Sequence, residues 1–325
     1  MSGFELAAVM ITLAAGLGYL NARFLRLPST IGLMAIALIG SLVIVSLDEL
    51  GAIDSGPIQH LVSQLDFGHT LMHGMLGLLL FAGALHVDLA DLRANKWPIA
   101  LLAGGGTLVS TLLVGVATYA MLSVLGAPLR FVDALLFGAL ISPTDPIAVL
   151  GILKSARAPA ELSTQIGGES LFNDGIGVVV FVVVLAIASG HDVSAASVGA
   201  VFAREVVGGL AFGLALGYVA FRLLRSIDAY SVEVLITLAV VSGGYAAAEH
   251  LHISAPLAIV AAGLVVGNQG RQLAMSDVTR HHVDLFWELI DEILNALLFL
   301  MLGLEATRLR LTTGLEIAVV LVIPV

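Results

Sequence analysis

Two stretches of this chain hold polar and ionisable groups inside otherwise apolar runs, and both could handle a cation or a proton. The first is Ile141-Ser142-Pro143-Thr144-Asp145-Pro146-Ile147. Each proline removes a backbone donor and crowds the preceding turn, so a helix entering this stretch is expected to break there and leave carbonyls and amides free. Unwound backbone flanked by half-helices is a way to build an ion site within a membrane. The same residues also suit a plain proline kink with Asp145 capping the next half-helix, and the two arrangements are compatible. The second stretch is Gly167-Gly168-Glu169-Ser170-Leu171-Phe172-Asn173-Asp174-Gly175. On a helix Glu169 lies one turn before Asn173 and Ser170 one turn before Asp174, so the four polar side chains share one broad face. Two acids, a hydroxyl and an amide carbonyl are hard oxygen ligands, suited to an alkali cation or a proton and poorly suited to zinc or copper. The flanking glycines leave room for a neighbouring helix to come close. Placing Glu169 and Asp174 in a loop ahead of the span is the alternative. It leaves a helix only just long enough to cross, and no other charge lies between Ile166 and His191.

The elements that must carry these residues follow from composition. Of the 325 residues 59% are hydrophobic and 12% charged, against about 25% charged in a soluble domain. The mean hydropathy is +1.04. An ordinary soluble enzyme is excluded. Apolar runs of about 20 residues fall near 5–22, 29–47, 69–87, 98–124, 129–152, 163–189, 196–221, 230–249, 253–268, 285–304 and 312–325. This predicts an all-α, polytopic membrane protein of about eleven spans. The first run has no basic residue before it and no cleavage site, so it reads as a retained span. The chain stops at Ile323-Pro324-Val325 inside an apolar run, which predicts a cut last helix. No linker or repeat marks a second domain, so residues 1–325 read as one transmembrane transporter domain, incomplete at its C-terminus.

Charge supplies orientation and exclusions. A formal charge of −10 argues against nucleic acid as a partner, and the absence of cysteine removes disulfides and thiolate metal sites. Ten of the 14 Lys and Arg fall in one set of alternate loops, among them Arg23, Arg93 and Lys154; the other set holds only Arg130, Arg204, Arg308 and Arg310. The N-terminus is therefore expected outside. Asn295 reads first as a helix-to-helix hydrogen bond. Glu288, Asp291, Glu292 and Glu305 read as residues near the ends of their span, and the histidines, such as His60 and His282, as surface groups.

In order along the chain, Leu78-Leu79-Leu80-Phe81-Ala82-Gly83-Ala84-Leu85-His86-Val87-Asp88, Pro143-Thr144-Asp145-Pro146, the Glu169-to-Gly175 block and Asn295-Ala296-Leu297-Leu298-Phe299-Leu300-Met301-Leu302-Gly303-Leu304-Glu305 resemble the NhaP-type sodium/proton antiporters, relatives of the eukaryotic sodium/hydrogen exchangers. The resemblance implies an inverted-repeat fold of about thirteen helices with broken helices, of which about eleven are present here. It further implies interleaved core and dimerisation subdomains, a homodimer, and a multi-pass place in the bacterial inner membrane. By matching motif, Asp174 is similar to the family's cation and proton carrier, Asn173 to its polar neighbour, and Glu169 and Ser170 to supporting residues. Thr144 and Asp145 match the broken-helix motif, with Pro143 and Pro146 supporting the break. Sodium is thus expected at Asp174, Ser170, Glu169 and Thr144, as cargo, with no resident cofactor. Ala82 departs from the pattern, since many members carry a glutamate there. The basic partner of Glu169 and the second broken helix would lie beyond Val325, so this length of chain alone is expected to be inactive.

Exchange needs one group that holds either a proton or a cation and never both, and Asp174 suits that. Asn173 stands where electrogenic relatives carry a second aspartate, which implies one proton per cation and electroneutral exchange of Na+ or Li+ for H+. A potassium/proton antiporter on the same scaffold is the closest rival. A channel or non-transporting sensor, and an aspartyl protease using Asp145 and Asp174, are further ones. The protease fits poorly, since its dyad needs two carboxyls sharing a proton. The expected class is a secondary transporter, not an enzyme.

Overall fold

The computed structural model describes residues 3–63, 74–126, 129–144, 159–190 and 195–308. Asp145, Pro146 and the expected run at 312–325 lie outside the described residues. Among the described residues there are helices and no strands. The order is α1 Gly3–Leu20, α2 Ser29–Glu49, α3 Gly56–Ser63, α4 Leu76–Leu85, α5 Leu89–Ala94, α6 Lys96–Ala100, α7 Thr107–Val124, α8 Phe131–Ile141, α9 Ala160–Ala188, α10 Ala195–Phe202, α11 Gly208–Leu224, α12 Tyr230–His250, α13 Ala255–Val265 and α14 Asp277–Glu305. Wider π turns extend α1 through Asn21–Leu25 and α13 through Val266–Gly270, and join α6 to α7 through Leu101–Gly106 and α10 to α11 through Ala203–Val207.

Six of the described helices are long and apolar enough to cross a membrane: Phe4–Leu25, Ser29–Glu49, Lys96–Val124, Glu161–Ala188, Gly199–Leu224 and Tyr230–His250. Leu76–Leu85, Phe131–Ile141 and Ala255–Gly270 are shorter and equally apolar. Their exposed residues are themselves large and apolar, such as Leu108, Leu112 and Leu113 on α7, as expected of surfaces solvated by lipid chains.

The residues form two compact units, one drawing on Met1–Leu79 and Glu288–Val319, the other on Leu80–Trp287. In the first, Met10, Leu33, Ala37, Leu300 and Met301 form the apolar core, and Ser41 Oγ donates to the Gly303 carbonyl at 2.8 Å. In the second, α13 is buried on all sides from Ala255 to Leu264, so its sequence is apolar all round. It is clasped by α11 through glycines four residues apart, Gly209, Gly213 and Gly217. A Cβ at Gly213 would run into the backbone of Ala258, which is why only glycine lets these two backbones approach so closely.

Two sequence expectations change. α14 begins at Asp277, whereas hydropathy places its start near residue 285, because Asp277, Arg280 and Asp284 interrupt the apolar pattern without interrupting the helix. Glu288, Asp291 and Glu292 consequently lie in the middle of a 29-residue helix. Asn295 is buried, yet its amide oxygen has no hydrogen-bond partner among the described residues.

Candidate functional site

α8 ends at Ile141, one residue short of the first proline pair, and Ser142, Pro143 and Thr144 leave the helix. Ser142 terminates it: its Oγ donates back to the Gly138 carbonyl at 2.6 Å and accepts from Thr111 of α7 at 3.2 Å. Pro143 seats against Gly177 of α9, where a Cβ would occupy the space of its ring. The irregular backbone at Thr144 is thereby held against the middle of α9. This is the setting in which unpaired backbone is tolerated within a membrane.

α9 is one uninterrupted helix of 29 residues, so Glu169, Ser170, Asn173 and Asp174 sit inside it and not in a preceding loop. Neighbours approach it at small residues: Leu92 of α5 and Ile99 of α6 meet Gly168, and Leu257 of α13 meets Gly175. One turn below the polar patch, Gln165 Nε2 donates to Asn95 Oδ1 at 2.9 Å.

The polar groups converge on Thr144. Its hydroxyl donates to the two carboxylate oxygens of Glu169 at 3.2 and 3.3 Å. Asn173 Nδ2 donates to Thr144 Oγ1 at 2.9 Å and to Glu169 Oε1 at 2.7 Å. Ser170 Oγ donates to the Thr144 carbonyl at 2.5 Å. Asn173 is fully buried, and with its amide nitrogen spent on these two acceptors its oxygen has no partner among the described residues. Asp174 follows it on the helix, half-buried, one turn beyond the buried Ser170. Thr144, Glu169, Ser170 and Asn173 thus form one bonded cluster with Asp174 at its edge. Sequence reasoning did not anticipate the roles of Thr111, Gln165 and Gly177. Their partners are remote in the chain, and only the helical spacing of Gln165 ahead of Glu169 hinted at a shared face.

A multi-pass helical bundle with an oxygen-rich cluster set between the end of α8 and the long apolar α9 suits a secondary transporter. Residues 9–324 match the family described as sodium/hydrogen exchanger, transmembrane. The chain is 55% identical over 303 residues to the Na+/H+ antiporter NhaP of Pseudomonas aeruginosa, covering 93% of this chain and 72% of that protein. It is 35% identical over 294 residues to the Na+/H+ antiporter NhaH of Halobacillus dabanensis, covering 89% and 70%. The solved structure of the sodium proton antiporter MjNhaP1 from Methanocaldococcus jannaschii shares the fold with a TM-score of 0.67 at 18% identity, covering 93% of this chain and 71% of that one. The chain belongs to the sodium/hydrogen exchanger family, and within it to the NhaP type.

Proposed function

We propose that the protein exchanges Na+ or Li+ for H+ electroneutrally, with cation and proton competing for the carboxylate of Asp174. The observation that carries this reading is the cluster at Thr144, which joins Glu169, Ser170 and Asn173, whose amide oxygen has no partner among the described residues, on the same helix as Asp174 and within a turn or two of it. A carboxylate withdrawn from water must be neutralised, and either a proton or a monovalent cation can do it. Binding of one displaces the other. Asn173 contributes no second negative charge, so the loaded site has the same net charge with either occupant. The cycle then carries none of the roughly 2.3 kcal/mol per 100 mV that a net charge would couple to the membrane potential.

In this reading Ser170, Glu169 and Thr144 join Asp174 around the cation. Asp145, Pro143 and Pro146 shape the broken helix, and a core carrying the site rocks past a dimerisation domain in a homodimer. We place the protein in the inner membrane with its N-terminus outside, following the loop charges.

The test is dequenching of a pH-sensitive dye in proteoliposomes of the full-length protein, adding sodium, lithium and potassium in turn, with and without a potential clamp. A sodium signal insensitive to the clamp is expected. A current in step with the signal would overturn the stoichiometry, and a response to potassium alone would assign the potassium antiporter.

Thr144→Val removes the hydroxyl that Glu169 and Asn173 share while keeping side-chain shape. Hydrogen bonds to a charged group contribute about 1.5–3 kcal/mol, so KM for sodium should rise about tenfold or more. An unchanged KM in the same assay would exclude Thr144 from the site.

A further inference from the structure

Glu233 is fully buried in α12, and neither of its carboxylate oxygens has a hydrogen-bond partner among the described residues. It belongs to no part of the exchange cluster. Its neighbours on the same face of α12 show what it looks at. Three residues before it, Tyr230 stacks on His282 of α14 with ring centroids 4.6 Å apart. Four residues after it, Thr237 accepts from Trp287 Nε1 of α14 at 3.0 Å. Just ahead of α12, Asp228 accepts from Ser276 and Thr279 at 2.8 and 2.9 Å. These contacts form a seam between the starts of α12 and α14, with Glu233 at its centre.

Among the described residues no cation answers this acid. α13 carries no ionisable side chain, and the cations of α11 are Arg222 in its last turn and Arg225 just after it, both exposed. On α14, Arg280 pairs with Asp277, while Asp284 is taken by Arg271 at 2.6 Å. His281 and His282 are exposed, the latter lying across Tyr230 with its Nδ1 2.7 Å from the Val278 carbonyl. The charge acting most directly on Glu233 is Asp228, of the same sign. Thr237 is spent on Trp287 and on the Val234 carbonyl, to which it donates at 2.8 Å.

We propose that Glu233 is a second proton-binding site, separate from the exchange site, whose occupied state closes the seam between α12 and α14. An ionised carboxylate here would be buried with no side-chain donor or countercharge among the described residues, eased only by the Ala229 backbone N–H and facing the like charge of Asp228, which is strongly unfavourable. The ligand that satisfies the space is a proton on the carboxyl oxygen. When the O–H bond breaks, the proton leaves to water, and the carboxylate left behind needs water in turn. The seam then parts at the end marked by Asp228 and Ser276. Trp287, now wholly buried, reports the change.

Residues 1–325 hold two tryptophans, and Trp97 is 76% exposed, so Trp97→Phe, together with Phe at any tryptophan outside residues 1–325, leaves Trp287 as the reporter in the full-length protein. Its emission should move to longer wavelength in a single protonic step as pH rises, and Glu233→Gln should remove that step while sodium-driven exchange persists. His282→Gln should leave the step in place. Glu233→Met, apolar and of similar length, should fold as well as the parent, because the carboxyl has no side-chain partner to lose among the described residues, and should be equally flat. A parent that does not titrate, a step that survives Glu233→Gln or vanishes with His282→Gln, or failure of both Glu233 variants to fold would each overturn the proposal.

Discussion

Asp174→Asn is expected to reduce sodium-driven proton exchange in proteoliposomes to the level of empty vesicles. The amide keeps the shape of the side chain and removes the only property the proposed cycle needs, a charge that a proton or a cation can neutralise. No reduction in KM or gain in sodium concentration should restore the signal, because the proton half of the cycle is lost together with the cation half. Sodium binding provides an independent reading. A ligand at 100 times its Kd stabilises the folded state by about 2.7 kcal/mol, so sodium should raise the thermal midpoint of the parent protein and leave that of Asp174→Asn unmoved. The half-buried position of Asp174 on a long, continuous helix makes a folding defect an unsuitable explanation for lost exchange, and the midpoint without sodium checks this directly. Retained exchange by the variant would end the assignment of Asp174 as carrier.

The second large effect is structural. Gly213→Val should destabilise the unit built on α13 by about 3 kcal/mol, the upper end of ordinary overpacking costs. The added Cβ meets the carbonyl oxygen, carbonyl carbon and Cα of Ala258. These are backbone atoms, which cannot swing aside as a leucine tip can. Separating α11 from α13 to admit the valine also forfeits the close contacts at Gly209 and Gly217 on the same stripe. Gly243→Val is the matched control: a Cβ there has nothing within 4 Å, and replacing glycine on an exposed helix face lowers the entropy of the unfolded chain. A lowered thermal midpoint and aggregation on size exclusion are expected for the first and not for the second. Equal behaviour of the two would show that the glycine stripe does not hold the helices together.

What could be read without the structure was local. The spacing of Glu169, Ser170, Asn173 and Asp174 placed them on one helix face, because helical period alone decides which side chains neighbour each other within a turn or two. The prolines at 143 and 146 marked where α8 would stop, since a missing N–H and a clashing ring act on the preceding turn wherever the chain lies. Hydropathy anticipated the six described helices long and apolar enough to cross and placed the start of α14 too late, since its charged first turns are helical with polar groups that find partners in space, such as Asp284 with Arg271.

Long-range pairing was decided only by tertiary structure. The family resemblance grouped Thr144 with Glu169, but no local pattern announces the hydrogen bonds from Thr144 to Glu169 and from Asn173 to Thr144, 25 and 29 residues apart, or that Pro143 would seat on Gly177. Glu233 was hidden for the same reason. It lies near a predicted span edge, where an acid is ordinarily solvated, and only the packing of helices remote in sequence around α12 buries it. Composition determined that this is a helical membrane protein, and helical period and the proline stop picked out the polar residues proposed to carry an ion, because those signals act within a few residues. Which donors meet which acceptors, and which carboxyl is cut off from water, depended on how helices remote in sequence pack, since burial is a property of neighbours that no local pattern specifies.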